Sequence, residues 1–267
     1  MSTAHRTQSE PSVPTWLSFL SLVGIIVLLA LSVLFGNVDD EAETAGSENV
    51  PVEYSDRFKL DEAQTSRAKQ YLSELTVAEP KSMDEYKNSR EELFGNWSSG
   101  EKQAQVPLAG NGCDTRNDIL ARDMLGVTYS DEKHCKVATG RLWDAYGTAD
   151  NPSDHWIDFT AGKGTSMAVQ IDHVVALGNV WASRPDDMTE QERYDIANDP
   201  INLLAVDGPQ NGAKQDKNFA EWKPNNKDIH CFYAASQIQV KHKYRLSVTQ
   251  AEHDALSQAL ATCPAGV

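Results

Sequence analysis

Basic residues are scarce in this chain. Against 39 Asp and Glu stand 24 Lys and Arg, a formal net charge of −15, and because affinity for polyanions comes largely from cations that neutralise phosphates, this balance argues against a general polyanion binder. Any such site has to be local. Cysteine is also sparse, with four in 267 residues and none in a Cys-x-x-Cys or finger-like Cys/His spacing, which leaves zinc as the minor alternative to disulfides. No internal repeat is present, and no interleaved aromatic platform suggests sequence-specific recognition. Long apolar runs are absent except for one, from Thr15 to Gly36, where 22 residues carry no charge.

About 20 apolar residues cross a bilayer as a helix, and this run is longer than the core of a cleaved signal peptide and ends without a small-x-small cleavage site. It is expected to be an uncleaved signal anchor. Only Arg6 and the α-amino group flank it on one side, whereas Asp39, Asp40, Glu41 and Glu43 follow it, which sets the amino terminus inside. The expected order is a cytoplasmic leader at 1–14, a transmembrane helix at 15–36, an acidic flexible tether at 37–57 and an extracytoplasmic domain at 58–264. The chain is thus a single-pass protein of the cell membrane, and no protein partner is inferred. Its hydrophobic content of 40% suffices for a core. All four cysteines, Cys113, Cys135, Cys231 and Cys263, lie beyond the run, and an even number in an exported domain favours disulfides. Of the three possible connectivities, the sequential one is preferred because each pair brackets one local unit.

Apolar positions Leu60, Ala68, Tyr71, Leu72 and Leu75 follow a helical period. Asp114 or Thr115 can cap a second helix carrying Ile119, Leu120, Met124 and Leu125. The segment 167–175 (MAVQIDHVV) reads as a strand, and 202–206 (NLLAV) as another. Between them Thr189-x-x-Glu192 is a capping-box pattern opening a helix that stops at Asn198-Asp199-Pro200. Residues from Gln210 to about Ala220 can form a helix, and Thr249-x-x-Glu252 opens a last one.

Chemistry-bearing residues gather in this region: Asp172-His173, Asn202, Asn211, Lys214 and Asp216. Metal-assisted phosphodiester hydrolysis needs a hard cation, a base for water and a group that orients the base. Asp and Asn oxygens are reasonable ligands for Mg²⁺, and an imidazole can take a proton near neutrality. Asn211 and Lys214, three apart on a helix, share a face. One tension is geometric, because neighbours on a regular strand point to opposite faces; for Asp172 and His173 to enter one site, the strand must end or bulge there. The other histidines, His5, His134, His155, His230, His242 and His253, read as structural or solvated. For the chosen set, plainer roles exist: a buried structural histidine, a turn former at Asp172, caps at Asn202 and Asn211.

Ile171-Asp172-His173-Val174-Val175-Ala176-Leu177, Ala197-Asn198-Asp199-Pro200 running into Asn202-Leu203-Leu204-Ala205-Val206, and Asn211-x-x-Lys214-x-Asp216 with Trp222-x-Pro224 resemble the secreted actinobacterial branch of the His-Asn-His (ββα-metal) endonucleases. Upstream, Phe94-Gly95-x-Trp97 and Cys113-Asp114-Thr115-Arg116 fit the same resemblance, as does Cys231 followed by Val240-Lys241-x-x-Tyr244, so it covers roughly 58–264. It implies an α+β fold, a ββα-metal nuclease core embedded among supporting helices, and a metal-dependent endonuclease. His173 would be the general base and Asp172 a metal ligand. Asn202 would hold the loop and orient the imidazole, Asn211 would be the second ligand, and Lys214 would contact the scissile phosphate. Oxygen ligands suit Mg²⁺, or Mn²⁺, better than Zn²⁺. Asp114, Arg116 and Asp216 enter as possible accessory residues without a settled role. Nucleic acid is the expected substrate, DNA before RNA; a surface binding module or structural envelope protein on the same fold is the alternative.

The charge objection weakens locally. Between Asn211 and Arg245 seven Lys and Arg face three acids, a basic strip expected to adjoin the site.

Overall fold

The computed structural model describes residues 53–99, 103–148, 155–162 and 166–264. The expected leader at 1–14, the anchor at 15–36 and most of the tether at 37–57 lie outside those residues. Among the described residues no helix is long and apolar enough to cross a membrane. The last residues assigned to the tether include a helical turn, Glu53–Asp56. It leads into Phe58, which is buried between Trp143 and Phe232 with ring centroids 5.4 and 5.0 Å away.

Helix α1 (Glu62–Glu74) starts where its composition allows, with Asp61 and Gln64 forming a reciprocal capping box. It packs Ala68 and Leu72 into a core shared with Tyr233, Ile238, Leu256 and Leu260. A short helix, α2 (Arg90–Phe94), follows, then α3 (Thr115–Asp123), whose N-cap is Asp114. Met124 and Leu125 were expected on α3 but begin strand β1 (Met124–Tyr129). The helix stops because the Asp123 carboxylate is drawn onto Arg122 and Arg57 and accepts the Ala205 amide, leaving Met124 extended. Strands β1, β2 (Val137–Trp143) and β3 (Trp156–Thr160) form an antiparallel sheet in that order, which the sequence did not signal. Gly126 at φ 59° and irregular β1–β2 pairing break the alternation that would have marked β1.

The expected strands are β4 (Val169–His173) and β5 (Leu203–Asp207), paired antiparallel with Asp172 opposite Leu204 and His173 opposite Leu203. Between them lie α4 (Leu177–Ser183) and α5 (Glu190–Asn198), the latter opened by the anticipated Thr189/Glu192 capping box. Every residue of β5 is buried, Leu203 and Ala205 toward one core and Leu204 and Val206 toward another, which explains its unbroken apolar run. Helix α6 (Gly208–Lys214) follows directly, capped by Asp207. It was expected to reach about Ala220; it ends at Lys214 because Gln215 takes φ 52°, outside helical space.

Helices α7 (His230–Lys243) and α8 (Gln250–Leu260) complete the fold. Thr249 caps α8 by accepting the Glu252 amide, and the Glu252 side chain is buried against Lys241 at 3.1 Å. Disulfides join Cys113 to Cys135 and Cys231 to Cys263, the second tying α7 to the end of α8. The result is a mixed α+β fold in which small sheets sit among helices.

Candidate active site

Strand β4 ends at His173, with no bulge in its pairing. The pleat therefore sends Asp172 and His173 to opposite faces, and each finds its own surroundings. Toward one core, Asp172 accepts hydrogen bonds from Tyr146 Oη at 2.6 Å and from Lys214 Nζ at 2.7 Å on both carboxylate oxygens. On the other face the His173 ring stacks on Trp97, with centroids 5.6 Å apart and planes 2° from parallel. Both residues nonetheless line one cleft of about 660 Å³, together with Arg90, Asn211 and Asp216.

His173 Nε2 lies 2.9 Å from the Ala197 carbonyl oxygen. A carbonyl can only accept, so Nε2 carries the hydrogen and Nδ1 presents a lone pair. Nδ1 has no hydrogen-bond partner among the described residues, and it is not sealed from solvent. Burial pushes the imidazole pKa down to about 3, and the Arg90 and Lys214 cations act in the same direction. The ring is therefore a neutral acceptor throughout the physiological range.

The Ala197-Asn198-Asp199-Pro200 stretch supplies this arrangement. Ala197 orients the imidazole, and Asn198 Oδ1 accepts the Ser98 amide at 2.6 Å, holding the loop that carries Trp97. Asp199 accepts from Tyr244 Oη at 2.7 Å, which ties the stretch to α7. Asn202 does not touch the imidazole. Its Oδ1 accepts the Val175 amide at 2.8 Å and its Nδ2 donates to the Ile196 carbonyl at 3.1 Å, so it clamps the backbone on both sides of the His173–Ala197 contact.

Asn211 and Lys214 do share a face of α6, and that face meets β4. Asn211 Nδ2 donates to Gln170 Oε1 at 2.9 Å while Lys214 reaches Asp172, so a helical i, i+3 pair lies on a strand i, i+2 pair. The expectation that Lys214 contacts a phosphate is corrected here. Its side chain is fully buried, and its ammonium is spent on Asp172 and on the His173 carbonyl oxygen. Asp216 accepts the Gly178 amide at 3.2 Å, capping α4 from outside. A Cβ on Gly178 would lie 2.3 Å from Asp216 Cγ, so only glycine permits this approach. Asp114 caps α3 by accepting the Asn117 amide at 3.0 Å. Arg116 faces a different cavity, with Trp97, Gln170 and Ile171. The basic strip also disperses: Lys241 is buried on Glu252, while Lys243 and Arg245 pair with Asp199 and Glu192.

Residues that carried no signal in the sequence fill the gaps. Tyr146 holds Asp172, and Arg90, exposed at the start of α2, lines both the cleft and a smaller cavity of about 60 Å³ that also touches His173 and Trp97. No carboxylate among the described residues pairs with Arg90.

Residues 114–259 match the family described as GmrSD restriction endonucleases, C-terminal domain. This chain belongs to that family. The matched stretch takes in Cys135 and Cys231, one cysteine of each disulfide, together with all of β4, β5 and α6 and the Ala197–Pro200 stretch. A relative from Arthroderma benhamiae, described as an uncharacterized secreted protein, is 34% identical over 200 residues, covering 74% of this chain and 85% of that one. No solved structure matches. Membership places the GmrSD-type domain seen here among nuclease domains.

Proposed function

We propose that the chain is a metal-dependent endonuclease of the His-Asn-His type that hydrolyses phosphodiester bonds of nucleic acid outside the cytoplasmic membrane, with His173 as general base. The observation that carries the reading is the fixed tautomer: Nε2–H is anchored on Ala197, and Nδ1 is left as an open acceptor in a polar cleft. A base of this kind takes a proton from water as the oxygen attacks phosphorus, typically contributing about 10² to 10⁴ in rate. Trp97 and Asn202 keep the ring from turning. Arg90 takes the phosphate-facing role first given to Lys214, since it lines the cleft with Tyr86 beside it and no carboxylate among the described residues pairs with it.

Whether the donors suit a cation can be judged from their remaining valences. An ionised carboxylate offers about four acceptor positions, and Asp172 uses three of them on Tyr146 and Lys214. One position on Oδ1 remains, and Asn211 Oδ1 accepts nothing from the described residues. No group of three His, Cys, Asp or Glu suited to a metal occurs among the described residues, so a cation at this place would rest on Asp172 and Asn211 and keep most of its water. Asp172 and Asn211 would hold Mg²⁺ or Mn²⁺, which when bound supplies charge neutralisation at the phosphate. The extracytoplasmic location rests on the apolar run at 15–36, the two disulfides and the relative described as secreted. DNA is the favoured substrate.

The engagement of Asp172 by Lys214 and Tyr146 favours one second reading, a binding module on the same fold that does not hydrolyse. Incubating the purified chain with plasmid, linear DNA and RNA, in Mg²⁺, Mn²⁺, Ca²⁺ or chelator, separates the two. Cleavage that needs a metal and is lost in folded His173→Ala supports the nuclease. Cleavage in chelator removes the metal from the mechanism, and binding without cleavage under every condition establishes the module.

A further inference from the structure

Arg116 sits in a position that the helix alone does not explain. It lies in the first turn of α3, half-buried, and it makes no hydrogen bond or ion pair with any described residue. The nearest acid, Asp114, spends both carboxylate oxygens on Asn117. A guanidinium carries five N–H donors, and withdrawing them from water without an acceptor is costly. The donors that face the cavity are left to solvent, or to a ligand that enters it.

The cavity that Arg116 lines has a volume of about 540 Å³ and is walled by Trp97, Gln170, Ile171 and Met167. Trp97 also walls the small cavity containing His173 and Arg90, and Ile171 is shared with the main cleft. The path from Arg90 past His173 to Arg116 is thus bordered by shared residues, with the indole as the partition. Met167 at its rim is 63% exposed, an apolar group left in water beside a cation and an aromatic ring. A cation next to an aromatic and an apolar wall is the combination that holds a nucleotide, phosphate on the charge and base on the ring.

We propose that Arg116 and Trp97 form a subsite for the nucleotide adjoining the scissile phosphate, Arg116 holding that nucleotide's phosphate and the indole edge of the cavity receiving its base. The subsite rests on the reading that the scissile phosphate lies at His173. Bidentate geometry suits guanidinium better than ammonium for this contact, whereas the purely electrostatic part is common to both.

The test uses the full chain in detergent and a fluorescein-labelled single-stranded oligonucleotide, with chelator to prevent turnover and anisotropy read across a salt series. Arg116→Gln should weaken binding about tenfold and make the slope of log K against log salt shallower by roughly 0.7 to 0.9, the loss of one phosphate contact. Arg116→Lys should restore the slope with only part of the affinity. Thermal stability should be unchanged or raised in Arg116→Gln, because an uncompensated half-buried charge has been removed. An unchanged affinity and slope, or a lowered Tm with an unchanged slope, overturns the proposal. Failure of the nuclease reading looks different: cleavage would then survive His173→Ala while the Arg116 salt effect stood. Cleavage that depends on His173 with no Arg116 salt effect would sink the subsite alone.

Discussion

Replacing Lys214 discriminates between a buried strut and a substrate ligand. In the structure the ammonium has no exposed surface, and it neutralises Asp172, itself almost fully buried. Truncation to Ala strands that carboxylate with Tyr146 as its remaining donor. Breaking one side of a buried pair typically costs about 3 to 5 kcal/mol. For a folded unit of this size each kcal/mol is worth about 2 to 4 °C in Tm, so Lys214→Ala should melt about 6 to 20 °C lower. The double variant Asp172→Asn/Lys214→Met removes both charges and should recover a large part of that loss, because the two effects are coupled. Urea unfolding of the wild type, Asp172→Asn, Lys214→Met and the double variant gives the coupling energy directly. If Lys214→Ala melts with the wild type and only loses affinity for nucleic acid, the ammonium is free to leave Asp172 and the assignment of a structural role is wrong.

Three further outcomes follow from the same coordinates. With a His173 pKa of about 3, kcat/KM should stay level as pH falls from 7 to about 4; a base titrating near 6.5 would instead lose about tenfold per unit below that point. Asp144 is buried, its pKa raised to about 7 mainly by burial and further by Asp207. A raised carboxyl destabilises the fold as pH climbs from 3.8 through 7, so Asp144→Asn should gain up to about 4 kcal/mol above pH 7 and nothing below about pH 4, measured by urea titration. Cys231→Ser/Cys263→Ser opens a loop of 32 residues and should lower stability by about 2 to 4 kcal/mol in calorimetry, with an unchanged unfolding free energy counting against the bridge.

The legible parts of the fold were those whose signal is local. Asp114, Thr189 and Thr249 each accept an amide of their own first turn, so three helix starts could be placed from a few residues each, while α1 was legible only through its apolar period. Strand β5 was visible because burial on both faces requires an apolar run. The sheet β1–β3 was not, since β1 is mostly exposed and its regularity is broken by Gly126. Within the site, the adjacency of Asp172 and His173 was correctly seen as a problem. Its resolution by opposite faces needed Tyr146 and Trp97, which lie 26 and 76 residues away in the chain. Asn202, expected both to hold the loop and to orient the imidazole, bonds the Val175 amide and the Ile196 carbonyl and reaches the ring only through the backbone next to Ala197.

Charge was the least transferable of the readings, and the reason is physical. Counting bases between Asn211 and Arg245 suggested a phosphate-binding strip, yet the folded chain turns Lys214 and Lys241 inward to neutralise buried Asp172 and Glu252. Lys243 and Arg245 close ion pairs on α5 and its cap. Cations that end inside a fold contribute nothing to a polyanion at its surface. Lys217, Lys223 and Lys227 of that strip close no ion pair among the described residues, and the cations that line the cleft and its neighbouring cavity, Arg90 and Arg116, come from 90–116, a stretch whose neighbourhood in sequence is acidic. Arg90 and Arg116 are recognised only in three dimensions, by the cavities they line and by closing no ion pair with a carboxylate among the described residues. A formal charge of −15 is therefore compatible with a nucleic-acid cleft, because what decides phosphate affinity is the number of cations unpaired at the site rather than the sum over the chain.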